Sequence, residues 1–111
     1  MDVATTKYDN CDLVKVDGRV DSYTAPNLLD ILRDLLKNER YKIVLDLIDV
    51  TYVSSAGLRV LIDIQKYCRV NNRGEVVLVN VPERVLDTLD LAGLVPLFNF
   101  YNEVPAAIQH F

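Results

Sequence analysis

Ser54-Ser55-Ala56-Gly57 is the stretch of this chain whose residue types and spacing best suit a specific chemistry. At a helix start, its two hydroxyls stand beside backbone N–H groups that have no intrahelical acceptor, at the positive end of the helix dipole. Such a place holds an anion. A phosphate on either hydroxyl would be stabilised there and would add about −1.5 to −2 charge to whatever surface the helix presents. Serine is equally a favoured N-cap, so capping accounts for one hydroxyl and leaves its neighbour over. Both readings, a cap alone and a modified hydroxyl, stand on these residues. The stretch lacks the glycine-rich run and lysine of a P-loop, and it lacks the flanking glycine spacing of a nucleophile elbow.

Little else offers a reactive group. The single histidine, His110, stands next to the C-terminal residue, and Cys11 and Cys68 lie far apart without a Cys-x-x-Cys spacing. That argues against a Ser-His-Asp or Cys-His site and against a structural zinc. Asp46, placed near the end of a central strand, invites comparison with the phosphate-accepting aspartate of receiver domains. The acidic pair after the first strand and the late lysine that such domains need are missing. Asp21 and Asp46 are expected to border the serine loop, where each would hydrogen-bond a hydroxyl or oppose its phosphate. The plainer alternative is that Asp21 and Ser22 lead into a helix and Asp46 caps a strand. Two carboxylates without a base or metal ligands make no catalytic set, so neither enzyme activity nor a metal or cofactor is expected.

The elements that position these residues are legible in the patterning. Val3–Tyr8 and Asp12–Val16 read as a hairpin around Asp9-Asn10. Gly18–Thr24 then leads to Ala25-Pro26, where Leu28, Ile31, Leu32, Leu35 and Leu36 recur at helical spacing. Lys42–Leu47 is nearly all apolar, as in a strand covered on both faces, and Asp46–Gly57 reads as the loop after it. The serine stretch opens a helix to about Asn72, with Leu58, Val60, Leu61, Ile64, Tyr67 and Cys68 inward, and Gly74 suits a left-handed cap. Glu75–Val79 is a further buried strand, Pro82 opens a helix that closes near Ala92-Gly93, Leu97–Tyr101 is a short strand, and Glu103–Gln109 a last helix. The order ββαβαβαβα predicts an α/β domain over residues 1–111: a mostly parallel mixed sheet, an antiparallel N-terminal edge strand and about four helices.

With 111 residues, half of them apolar, the chain buries roughly 65% of its unfolded surface, enough for one core without disulfide or metal. Twelve basic against sixteen acidic residues give a net charge of −4, which argues against nucleic acid or an anionic membrane as partner and leaves a protein. Val76–Val79, the longest aliphatic run, is far short of a membrane span, and Met1-Asp2-Val3-Ala4 opens no signal peptide, so the cytoplasm is the expected location.

Taken together, these residues resemble a known family. Val44-Leu45-Asp46-Leu47, then Val50-Thr51-Tyr52-Val53-Ser54-Ser55-Ala56-Gly57-Leu58-Arg59-Val60-Leu61, resembles the signature of STAS domains, specifically the small bacterial anti-sigma factor antagonists. Gly18-Arg19-Val20-Asp21 resembles that family's turn before the first helix. The resemblance covers essentially the whole chain and implies a STAS-like fold and a partner-switching role in transcription regulation, as in stress responses. An unphosphorylated antagonist binds an anti-sigma factor, itself a GHKL-type serine kinase, and frees a sigma factor; phosphorylation by that kinase dissociates the pair, and a PP2C-type phosphatase resets it.

In the family motif Asp-Ser-Ser/Thr-Gly-Leu the acceptor lies two residues before the glycine. That residue is Ser55 here, with Ser54, the second choice, in the aspartate's place and Ala56 in the second hydroxyl's. The partner is expected on a face holding Asp21, Ser22, Tyr23, Ser54, Ala56, Gly57, Leu58 and Arg59, with Ile62 giving apolar contact among charged neighbours. The alternative is a STAS scaffold that is never phosphorylated, or a module sensing a small anion or nucleotide at the same helix start.

Overall fold

The computed structural model of the chain describes residues 1–70 and 73–111. Strands β1 (Asp2–Lys7) and β2 (Asp12–Val20) pair antiparallel as a hairpin. Helix α1 (Ala25–Lys37), strand β3 (Lys42–Val53), helix α2 (Ser55–Arg69), strand β4 (Glu75–Val79) and helix α3 (Glu83–Leu91) follow in turn. A single 3₁₀ turn at Val95–Leu97 leads to strand β5 (Asn99–Tyr101), and helix α4 (Val104–Gln109) comes last. The sheet runs β1-β2-β3-β4-β5 with every pair after the first parallel, as the element order predicts.

Parallel neighbours need crossover helices, and these cover one face. Leu28 and Leu32 of α1, Ile64 and Cys68 of α2, and Val85 and Leu89 of α3 pack on Val14, Ile43, Leu45 and Leu78. The other face is covered by α4, whose Ala107 meets Val44, Val77, Val79 and Cys11. Covered from both sides, Ile43–Leu47 is buried without a break, which is why this stretch shows no alternation. Among the described residues, no helix is long and apolar enough to cross a membrane.

Four local expectations are corrected. The supposed loop after Leu47 is strand: β3 runs on to Val53, beside a β2 that runs on to Val20 rather than ending at Val16. The period-2 signal fails there because the register with β2 slips between Lys15 and Asp17 and again between Gly18 and Arg19. Each slip inserts one extra residue in β3, so Val50 and Val53 face inward at a spacing of three while Asp49, Thr51 and Tyr52 face solvent. Gly18, at φ +98°, makes that irregular path possible.

In α2, Tyr67 is exposed and the polar Gln65 is fully buried instead. At about 100° per residue Gln65 falls between Leu61 and Leu58, whereas Tyr67 lies on the rim of the apolar face beyond Val60. The Gln65 amide donates to Val76 O and Leu97 O, each at 3.0 Å, and accepts from Val76 N–H at 2.6 Å. Both its nitrogen and its oxygen are partnered, so burial carries no penalty of an orphaned group. The helix ends at Arg69, and Asn72 lies outside the described residues. Gly74 is no left-handed cap: a Cβ there would stand 2.2 Å from Tyr41 O, so close backbone approach demands the glycine.

Candidate functional site

Strand pairing brings two sequence-predicted segments together. Val20, the last residue of β2, lies opposite Val53, the last of β3, and Ser54 N–H donates to Val20 O at 2.8 Å. The Asp21–Thr24 turn and the start of α2 are therefore neighbours at one end of the sheet. The remainder of the supposed Gly18–Thr24 loop, Gly18–Val20, is strand.

The two serines divide their tasks. Ser54 is the N-cap in extended conformation, its Oγ accepting from Gly57 N–H at 3.4 Å, while its carbonyl accepts from Leu58 N–H at 2.9 Å. Ser55 is the first residue of α2 and is exposed. Its hydroxyl is not needed for the cap and stands where the helix dipole and the unpaired first-turn N–H groups favour negative charge. Arg59 and Ile62 follow at i+4 and i+7, so one stripe of α2 carries the hydroxyl, a guanidinium and an aliphatic side chain. Arg59 is exposed; Ile62 is half-buried.

Gly57 does not belong to that surface. It is buried, and a Cβ on it would meet Val53 Cγ1 at 2.8 Å, Val20 Cγ1 at 2.9 Å and Val20 O at 3.0 Å. The glycine lets the first turn of α2 sit directly on the ends of β2 and β3. Ala56 and Leu58 also pack against the core and offer only their edges. The exposed members of the expected face are thus Ser22, Tyr23, Ser55 and Arg59, with Tyr23 92% exposed.

The Asp21 carboxylate is occupied within its own turn rather than on a serine. Its Oδ1 accepts from Thr24 N–H at 3.1 Å and Tyr23 N–H at 3.0 Å, and Thr24 Oγ1 lies 3.2 Å away. Asp21 N–H in turn donates to Thr24 Oγ1 at 2.9 Å. The Thr24 N–H first, and then the Tyr23 N–H and the Thr24 hydroxyl, hold the Asp21 carboxyl below the usual carboxylate range against a smaller effect of burial. Thr24 is the N-cap of α1 by position but makes no side-chain cap bond, its hydroxyl being engaged in this turn. The result is a fixed turn that displays Ser22 and Tyr23.

Asp46 is not part of the site. It is a buried residue inside β3, paired with Val79, its Oδ1 accepting from Ile48 N–H at 3.1 Å. Six residues of strand separate it from Val53, roughly 20 Å of extended chain. The expectation that Asp21 and Asp46 both border the serines rested on ending β3 too early. Sequence reasoning also missed Arg19 and Tyr52, whose guanidinium and ring lie 4.4 Å apart on the extension of β2 and β3, where Arg19 also meets Asp21 at 3.6 Å. Their signal was hidden by the same register slips.

Comparison with known proteins agrees with this fold. The STAS domain family matches residues 2–107. The chain is 28% identical over 99 residues to the anti-sigma-B factor antagonist of Staphylococcus aureus, covering 89% of this chain and 91% of that one. It superposes with a TM-score of 0.90 on a Thermotoga maritima protein described as an anti-sigma factor antagonist, at 22% identity and over 97% and 92% of the two chains. The Bacillus cell fate determinant SpoIIAA, solved in its phosphorylated form, superposes at 0.77 with 12% identity over 99% of this chain and all of that one. Fold, strand order and the match over nearly the full length lead to one assignment: the chain belongs to the STAS domain family.

Proposed function

We propose that this chain is an anti-sigma factor antagonist that binds an anti-sigma factor with serine kinase activity and is released from it by phosphorylation of Ser55. The observation that carries the reading is the division of labour at the start of α2: Ser54 caps the helix, and Ser55 is left exposed at its first position. A kinase needs a hydroxyl it can reach, on a backbone already fixed. The names of the chain's relatives support the same reading.

The switch follows from electrostatics and desolvation. Unmodified Ser55 is a small neutral group in a face with Tyr23 and Arg59, compatible with a close protein contact. A phosphate there carries about −1.5 to −2 charge and, inside a docked interface, must be desolvated or matched by a cation. A cost of a few kcal/mol, at 1.4 per tenfold, weakens binding by roughly a hundredfold or more. The first-turn N–H groups and Arg59 stabilise the modified state in the free chain, which favours release further. In this reading the chain is a substrate and not an enzyme, a PP2C-type phosphatase restores it, and the cycle runs in the cytoplasm.

Mass spectrometry after incubation with the cognate anti-sigma factor and ATP tests the assignment. A single phosphate on Ser55 is expected; phosphate on another residue, or none, rejects it.

A further inference from the structure

Far from Ser55, the C-terminal halves of α1 and α2 enclose a groove of about 440 Å³. Its floor is apolar, formed by Leu36, Tyr67 and Val70, of which Tyr67 is 56% and Val70 51% exposed. Its rim is cationic, formed by Arg33, Lys37 and Arg73, and it continues along α2 past Lys66. Asp63 is the one carboxylate that lines this continuation among the described residues. Arg73 is engaged with Tyr41, donating to its hydroxyl at 2.8 Å. Arg33, Lys37 and Lys66 take part in none of the ion pairs among the described residues. Basic groups near helix C-termini answer the dipole, but that does not explain the exposed apolar floor between them.

The same molecule carries a surface of complementary charge. On α3, Glu83, Asp87 and Asp90 recur at i, i+4 and i+7 and form one exposed acidic stripe. Leu91 flanks it, 90% exposed, and Leu86 lies on its other side, 37% exposed. An acidic helix with a leucine anchor fits an apolar groove with a basic rim, the arrangement by which amphipathic helices dock.

We propose that the α1/α2 groove of one copy receives the α3 face of a second copy, Leu91 entering between Tyr67 and Val70 and the carboxylates meeting Arg33 and Lys37. Because the two surfaces differ, the contact is heterologous: each added copy leaves one groove and one α3 face free, so association is open-ended rather than confined to a dimer. The interface is small and charge-dependent, hence weak and salt-sensitive. Neither surface contains Ser55, so the inference stands independently of the proposed modification.

Sedimentation velocity from about 10 µM to about 1 mM, where small transient interfaces associate, provides the test. The unaltered chain is expected to rise in mean mass with concentration beyond two copies, and to return to one in about 1 M salt, where the screening length is about 3 Å. Two variants altered only at exposed positions, Arg33→Glu/Lys37→Glu and Asp87→Lys/Asp90→Lys, are each expected to sediment as single chains. Mixed in equal amounts they offer one unaltered groove and α3 face together with one pair in which both charges are reversed, so association of the two variants with each other is expected to return. A chain that stays single at every concentration overturns the proposal and leaves the groove to an acidic segment of another protein. So does a mixture of the two variants that stays single, or a variant that associates as the unaltered chain does.

Discussion

The two ends of α2 are built on opposite plans. At its start, backbone and side-chain polar groups are satisfied locally by the Ser54 cap and the Asp21 turn, Gly57 presses the helix onto the strand ends, and the exposed hydroxyl of Ser55 stands clear. At its end, Lys66 and Arg69 stand exposed among Tyr67 and Val70, on a flank that α1 meets with further cations. A net charge of −4 conceals this separation, because the sum over the chain says nothing about where each sign lies. One end presents a single free hydroxyl on a rigid base, whereas the other offers area and charge but no reactive group.

Substitutions at the two ends should therefore differ in kind. The largest stability effect is expected from Gly57→Val, which forces atoms into Val20 and Val53 and costs about 3 kcal/mol or more in chemical denaturation. Val70→Ala, on the exposed flank at the other end, is expected to stay within about 0.5 kcal/mol. Equal losses at both sites would erase the contrast between a pressed and a loose end.

Ser54→Ala removes the cap and is expected to cost about 1 kcal/mol, while Ser55→Ala costs only a few tenths, since its hydroxyl makes no cap. A reversed order in thermal or urea unfolding would reassign the two serines.

Each end also holds a carboxylate titrating below its usual range, and acid should separate them. At Glu75, at the start of β4, burial pushes the pKa up, but hydrogen bonds from His110 and Asn99 and the charges of His110 and Arg69 outweigh it. Glu75 Oε1 lies 2.6 Å from His110 Nε2, whose Nδ1 lies 2.7 Å from the Tyr101 hydroxyl. A pKa lower in the folded than in the unfolded state contributes stability above the unfolded value, about 4.3 for glutamate, which is lost as pH falls through the lowered folded value. Glu75→Gln should therefore flatten the loss of stability below about pH 4. Asp21→Asn should flatten it less, because Asp21 sits in an open turn where solvent screens its interactions. Unfolding free energies measured between neutral and acid pH decide; a larger change for Asp21→Asn would invert the comparison.

The smallest structural effect concerns the thiols. Burial pushes the Cys68 pKa up to about 12, and burial also raises that of Cys11. Neither is expected to react with a thiol reagent in the folded chain, and both should react in urea.

Most of the fold was legible because its signals are local. Leu28, Leu32 and Leu36 repeat at helical spacing, Ile43–Leu47 is an unbroken apolar run, and Pro82 stands at a helix start. The site was legible where a cap was involved, at Ser54 and Ser55. It was illegible where long-range pairing decides. The slips between β2 and β3 convert an alternating strand into an apparent loop, which misplaced Asp46 and hid Tyr52 beside Arg19. Gly57 carries no sign in its own sequence that Val20, 37 residues earlier, will lie against it. Gln65 was passed over because a polar residue on an apolar face has its reason in backbone groups of β4 and the Leu97 carbonyl, which only the fold assembles.

The central claim is that one phosphate on Ser55 breaks the partner contact. Calorimetric titration of the cognate anti-sigma factor with the unmodified chain and with the enzymatically phosphorylated chain measures this directly. The account predicts that phosphorylation weakens binding by about a hundredfold or more, equivalent to about 2.7 kcal/mol, with Ser55→Ala binding as the unmodified chain does. Equal affinity of the phosphorylated and unmodified chains would contradict it.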